Sequence, residues 1–418
     1  MQKCSAGYQY PDRLKKLTRV NFVKSFERIF LCLYKTWVIL CICPYDWAMS
    51  NKPTFNILIL GASYGSLLAI KCLAAGHHVT MTCRSATANL INSEGIRVRL
   101  PIKGRRDVGV NGLLEIGSKD LPGRLTACTP QQVTDLSTFD LVVLAMQEPQ
   151  YRQDGIRELM QHIALAKLPC MPIMNMPPLP YLARLIAQAH LSKTNIDLNN
   201  FRSAYAEAEV WDAFDPACMT LSSPDPQAFR PVDEPVNVLQ VALPTNFKVA
   251  RFDSAEHTAI LLQLEADIEA VRYTLNGESL ELPVKLKVFD SLFVPLAKWS
   301  MLLTGNYRCI QAEGMRPIKE AVLGDMAQSK DIYEWVAQLC EKMGASPDDL
   351  VPFEKYAAAS DGLAKPSSAA RALAAGSTHI ERVDLIVQTF AAQLGLRHPS
   401  VDETVSVVNG WLERNRSV

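Results

Sequence analysis

Apolar and polar positions fall into distinct blocks along this chain, and the sharpest block begins at Asn56. Ile57-Leu58-Ile59-Leu60 is an unbroken apolar run, the pattern of a strand covered on both faces of a parallel sheet. The turn Gly61-Ala62-Ser63-Tyr64-Gly65 follows, then a helix pattern through Leu67 to Ala75 that stops at Gly76. Val79 to Cys83 predicts a second strand, ending at Arg84-Ser85. Asn89 to Glu94 reads as a short helix closed by Gly95, and Ile96 to Leu100 as a strand. Phe139 to Ala145 and Met171 to Met174 read as further buried strands, ending at Gln147 and Asn175. Strand, turn, helix and strand in this order make a βαβ unit, and so an α/β fold with a parallel sheet.

Past residue 200 the pattern changes. Val236 to Leu243 reads as a strand. Asp253 to Val271 reads as an amphipathic helix with Ile260, Leu261, Leu264, Ile268 and Val271 at helical spacing. Asn276-Gly277 joins two short β-like runs, a hairpin signal. We divide the chain into an extension at 1–48, a nucleotide-binding domain at 49–283 with an elaboration at 201–283, and a helical domain at 284–418. The elaboration either shapes the substrate pocket or supplies extra core and an oligomer surface.

The glycine turn carries the first chemistry. Glycine allows a tight turn and close approach of a ligand, and the following helix directs its N–H groups and positive dipole end at the turn. That arrangement suits a pyrophosphate. An acidic residue at the second strand's end would bind the ribose of NAD, whereas Arg84 suits the 2′-phosphate of NADP. The expected cofactor is therefore NADP(H), held by Gly61, Ala62, Ser63, Tyr64, Gly65, Arg84 and Gln147. The turn is G-x-x-x-G, one residue shorter than the usual G-x-G-x-x-G. The competing account is that its glycines only let helix and strand pack closely. Gln147 and Asn175 sit at strand ends, where ligands bind in open α/β sheets, though turn amides often bond their own backbone.

Composition narrows the classes. Lys+Arg and Asp+Glu both count 43, and a balanced charge argues against a nucleic-acid partner. The 11 cysteines are scattered, with no C-x-x-C and no metal-ligand spacing, which points to reduced thiols in the cytoplasm and to no metal. The apolar run from Ile29 to Cys43 is interrupted by Lys35 and is short for a membrane span. Met49 is the expected start of translation, with an uncleaved anchor as the other account of 1–48. Membrane association is thus not expected, and a homodimer is the assembly carried forward.

At this point the chain resembles the ketopantoate reductase family. The resemblance rests on Gly65-Ser66-Leu67-Leu68-Ala69, Arg84, Glu94-Gly95-Ile96 and Asn175, with looser matches near the C-terminus. It covers roughly residues 51–178 and 284–415. It implies a Rossmann-type NADP-binding domain followed by an all-α domain of the 6-phosphogluconate dehydrogenase type. It also implies NADPH-dependent reduction of a small 2-keto acid or related carbonyl compound.

Lys298 is the sharpest residue of the second domain. Its helical neighbours Val294, Pro295, Met301 and Leu302 are apolar, so it is not on an ordinary solvated face. Desolvation would lower its pKa and fit it to donate a proton to a carbonyl. It could equally be a lysine whose stem covers the core. The resemblance assigns Lys298 the general-acid role and Asn306 a substrate contact, and puts Leu302 where the family has a second asparagine. It places the carboxylate-binding serine on Ser367. The lysine-supporting glutamate falls on His379 without gaps and on Glu381 with a shift. His379 could polarise a carbonyl or pair with a substrate carboxylate. Spacing alone favours Glu381 as part of a capping box, Thr378-x-x-Glu381, for the helix ending near Gly395, with Ser400-x-x-Glu403 as a similar cap. Opine-type reductive amination and a non-catalytic NADP-binding sensor are the alternatives.

Overall fold

The computed structural model describes residues 53–417 apart from 106, 108, 110, 111 and 189. The expectations for 1–48 lie outside the described residues. The predicted βαβ unit forms as β1 (Asn56–Leu60), α1 (Gly65–Ala74) and β2 (His78–Thr82). Then come α2 (Ser85–Glu94), β3 (Arg97–Pro101), β4 (Leu113–Gly117), β5 (Leu125–Cys128) and β6 (Leu141–Leu144). After α3 (Ile156–Leu165), β7 (Cys170–Pro172) and α4 (Leu179–Ala187) complete the first sheet's surroundings. Strands pair in the order β5-β2-β1-β6-β7, and every pairing is parallel. This is the half-sheet of a Rossmann-type fold, with β1 at its centre.

Both faces of β1 are covered, as its apolar run requires. Ile57 and Ile59 enter one core with α1, and Leu58 and Leu60 enter another shared with the C-terminal helices. Nearly all of α1 is buried, which explains a helix with almost no polar face. Its Lys71 donates to the Pro283 carbonyl; burial, then Lys285, pulls its pKa down to about 7.

The elaboration builds two further sheets. Its strands are β8 (Ser222–Ser223), β9 (Gln227–Phe229), β10 (Val238–Leu243) and β11 (Phe247–Ala250). They are followed by α5 (Ala255–Ala270), the hairpin β12 (Arg272–Leu275) and β13 (Glu278–Glu281), and β14 (Leu286–Phe289). One sheet runs β4-β3-β10-β9 and another β14-β11-β8. Asn276 and Gly277 turn the hairpin at φ of 52° and 82°, as an Asn-Gly turn should. Strand β14 lies beyond Val284 yet pairs with β11, so the helical part begins after Phe289.

That part contains α6 (Lys298–Met301), α7 (Ile318–Leu323), α8 (Met326–Met343), α9 (Phe353–Ser360), α10 (Ser368–Ala374), α11 (Val383–Gln393) and α12 (Pro399–Arg416). It is not purely helical, because β15 (Ile310–Gln311) and β16 (Gly314–Met315) form a small hairpin. Phe55–Val418 make one compact unit. Among the described residues no helix is long and apolar enough to cross a membrane, and no cluster of metal-ligating side chains occurs.

Both predicted caps are corrected. Helix α11 begins at Val383, so Thr378 and Glu381 precede it and form no capping box. Tyr307 accounts for the late start: its hydroxyl donates to the Glu381 carbonyl at 2.5 Å and accepts from the Val383 N–H at 3.0 Å. Helix α12 is capped by His398, whose ring accepts from the Ser400 N–H at 3.3 Å, and not by Ser400. Pro399 at the first helical position sets that earlier start.

Candidate active site

The glycine turn sits where β1 meets the end of β6. Gly61 has φ of +110°, and a Cβ there would lie 2.7 Å from the Ala145 carbonyl oxygen and from Met146 Cγ. A Cβ at Gly65 would lie 2.7 Å from Ile59 Cγ2. Close packing is therefore a sufficient reason for both glycines, independent of any ligand. The turn is also covered from the elaboration. Tyr64 Oη donates to the Pro226 carbonyl at 2.6 Å, and Arg230 Nη2 donates to the Ala62 carbonyl at 2.9 Å. Ser63 is exposed in the turn.

Arg84 is exposed at the carboxyl end of β2. Arg230 lies close enough for the two guanidiniums to repel. Burial, opposed by Cys83 and assisted by Arg84, pulls the Arg230 pKa down. Among the described residues no carboxylate pairs with either guanidinium. Sequence reading overlooks Arg230 because it comes from a segment the family pattern does not cover. Only β9 brings it to the turn.

Along the carboxyl edge of the sheet a narrow cavity, about 400 Å³ with its open mouth, is lined by Gln147, Asn175, Leu302, Asn306, Ser368 and Glu381 among others. Wider hollows occur elsewhere, one of them between α11 and α12, but this one holds Glu381, to which Glu148 and Lys298 are electrostatically coupled. Asn175 follows β7, and Gln147 follows β6. Leu302 and Asn306, four residues apart, share a helix face, and the helix widens into a π turn at Leu302–Asn306, where the Tyr307 N–H reaches the Leu302 carbonyl at 2.9 Å. Such turns often mark functional sites.

Lys298 stands one turn before Leu302. Its ammonium donates to the Pro224 carbonyl at 2.6 Å and lies 3.3 Å from Asp225. Burial lowers its pKa, while Asp225 chiefly, and Glu381 more weakly, act to raise it.

Asn175 acts to favour the Glu381 anion, and its own Oδ1 remains buried with no hydrogen-bond partner. Burial first, then the charge of Glu148, pushes the Glu381 carboxyl up to about 7. Glu148, 2% exposed, is pushed up to about 7 by burial, against the Ala206 N–H at 3.1 Å and Arg152. The Trp211 indole also favours its anion, although the Trp211 N–H falls outside hydrogen-bond geometry. Glu148 was missed because nothing local marks it: it opens a 3-10 turn after β6 and becomes informative only beside Glu381.

Ionisation of this pair opposes folding. Both folded pKa values lie above the ordinary 4.5, so the native state holds more protons between about 4.5 and 7. The pair's stability contribution is greatest below that window and is lost as pH rises through it. Glu148→Gln should therefore match the wild type near pH 4.5 in melting temperature and exceed it increasingly toward pH 8. Parallel melting curves across that range would refute the coupling.

Three predicted residues lie off the cavity wall: Lys298, Ser367 and His379. Ser367 is buried and caps α10: its hydroxyl donates to the Asn306 carbonyl at 2.7 Å and accepts from the Ala370 N–H at 3.1 Å. Its neighbour Ser368 lines the cavity instead. His379 lies beside Arg152, with ring nitrogens 3.3 and 3.4 Å from the guanidinium. Burial and Arg152 lower its pKa.

A parallel Rossmann-type sheet followed by a mostly helical region defines a two-part α/β class. Within it, this chain has the ketopantoate reductase fold. It is similar to a 2-dehydropantoate 2-reductase from Methylococcus capsulatus, at TM-score 0.55 and 12% identity, covering 86% of this chain and 97% of that one. D-mandelate dehydrogenase, solved with NADH and anilino(oxo)acetate, is similar at TM-score 0.54 and 13% identity, covering 86% and 99%. A probable 2-dehydropantoate 2-reductase from Bacillus subtilis is similar at TM-score 0.51 and 15% identity, covering 85% and 99%. No protein-family profile and no curated relative matches the sequence.

Proposed function

We propose that this protein is an NADPH-dependent reductase of a small 2-keto acid or related carbonyl compound. The observation that carries the reading is the cavity lined by Asn175, Asn306 and Glu381 at the carboxyl edge of a parallel sheet, where such folds bind ligands, with Lys298 one turn before Leu302 and electrostatically coupled to Glu381. The fold neighbours named above include two reductases and a dehydrogenase, which supports the same class.

The donor set fits a dinucleotide. The paired guanidiniums of Arg84 and Arg230 suit a phosphate, and the unpartnered Asn175 Oδ1 suits a donor on a bound molecule. When bound, NADPH supplies the hydride. Lys298 donates a proton to the carbonyl oxygen, Asn175 and Asn306 orient the substrate, and Ser368 takes the contact expected of Ser367. Leu302, Ile380 and Ala372 make one wall apolar, so the carbonyl compound carries a small apolar substituent.

The test is NADPH oxidation by the full chain with a panel of 2-keto acids, with and without amino acids. NADPH binding without turnover would overturn the reductase reading. A strict requirement for an amine would replace it by reductive amination. The choice of NADPH is tested separately. Arg84→Ala should weaken NADPH by about tenfold or more, since hydrogen bonds to charged groups contribute about 1.5–3 kcal/mol. NADH affinity should not change; equal loss for both dinucleotides would remove the 2′-phosphate role.

A further inference from the structure

We propose that Asp225, from the turn between β8 and β9, is a positioning residue that serves as the counter-ion of Lys298. This rests on the reductase reading above only for its catalytic meaning. Its geometry stands alone.

Three charged groups on three separate segments, and one backbone carbonyl, surround the Lys298 ammonium. Asp225 Oδ1 lies 3.3 Å from it, beside the Pro224 carbonyl at 2.6 Å. Lys248, on β11, approaches Asp225 Oδ2 at 3.4 Å from the other side. Glu381, ahead of α11, acts on the ammonium more weakly than either. Asp225 is 14% exposed at its side chain and Lys298 22%, so water screens their attraction only partly.

The resemblance gives the supporting role to a glutamate. Here Glu381 shares its surroundings with Glu148, and two buried carboxyls so close do not both ionise readily at neutral pH. Among the described residues the ion pairs of Asp225 are with Lys248 and Lys298, so it is the counter-charge seated against the Lys298 ammonium. Its position is held from both sides. Tyr64 Oη binds the Pro226 carbonyl at 2.6 Å, and the Asp225 N–H donates to the Ser223 carbonyl at 3.0 Å. The elaboration thereby supplies a charge that the helical region lacks.

The test is competitive acylation of the full chain across pH, with Lys298 labelling read by mass spectrometry. Asp225→Asn should lower the midpoint by about one unit or more, because an opposite charge at this range shifts a pKa by about 1–3 units. One unit is a tenfold rise in free amine at a given neutral pH. Asp225→Glu should restore the midpoint. Lys248→Gln should raise it; loss of folding would also raise the midpoint toward the ordinary lysine value, so the fall in Asp225→Asn is the shift that unfolding cannot produce, and the melting temperature of Lys248→Gln is measured beside its midpoint. An unchanged midpoint in Asp225→Asn would overturn the assignment, whether or not any keto acid is reduced. If the midpoint moves while the keto-acid panel stays inert, the reductase reading falls and the counter-ion assignment stands. With an active substrate, the alkaline limb of kcat/KM should follow the labelling midpoint in each variant.

Discussion

Lys298→Ala should lower NADPH-dependent reduction by about a hundredfold or more, the usual range for losing a general acid. NADPH affinity should stay within a few-fold of wild type, because Lys298 lies on the helical side and contacts Pro224 and Asp225, not the glycine turn. The effect should fall on kcat and on kcat/KM together, as expected for a contact made in the transition state. A variant that keeps wild-type turnover would leave Lys298 as a structural lysine whose stem covers apolar surface. The outcome is sharpened by the surroundings. Removing the ammonium leaves Asp225 facing Lys248 alone, so the melting temperature should be measured beside the rate to separate chemistry from folding.

Gly61→Ala should be strongly destabilising and should damage the glycine turn directly. The new Cβ would meet the Ala145 carbonyl oxygen and Met146 Cγ at 2.7 Å, in a backbone conformation at φ +110° that L side chains rarely adopt. Conformational strain of about 1–2 kcal/mol adds to overpacking of about 1–3 kcal/mol. The sum, about 2–5 kcal/mol, is a large share of the stability of an ordinary domain. Gly76→Ala is the control: it has φ of +91° but open space around its Cβ, so only the strain applies. Denaturant unfolding of both should show the larger loss at Gly61, with NADPH binding weakened there and retained in the Gly76 variant. Equal losses would mean that the packing of β6 behind the turn yields easily.

Much of the first sheet is legible in the chain because its signals are local. An unbroken apolar run such as Ile57 to Leu60 can be buried on both faces only in a covered sheet, and Gly61 and Gly76 punctuate it. The helix over 255–270 and the Asn276-Gly277 hairpin are equally local. The site is less legible. Glu381 satisfies a capping-box spacing perfectly well, and spacing cannot reveal that Tyr307 holds its backbone out of the helix. Ser367 and Ser368 are indistinguishable in sequence, and the start of α10 decides which hydroxyl is consumed as a cap. Glu148, Asp225 and Arg230 carry no motif at all.

The amino-acid sequence by itself determined the βαβ unit, its glycine turn, the strand-end Arg84 and the apolar setting of Lys298, because each follows from neighbours within a few residues. Tertiary structure alone decided which charges meet. Glu148 faces Glu381 across more than two hundred residues of chain, and Asp225 reaches Lys298 across more than seventy. Desolvation and Coulomb attraction act through space, and a carboxyl's proton affinity is set by neighbours that only the packing of the elaboration and helices onto the sheet brings together.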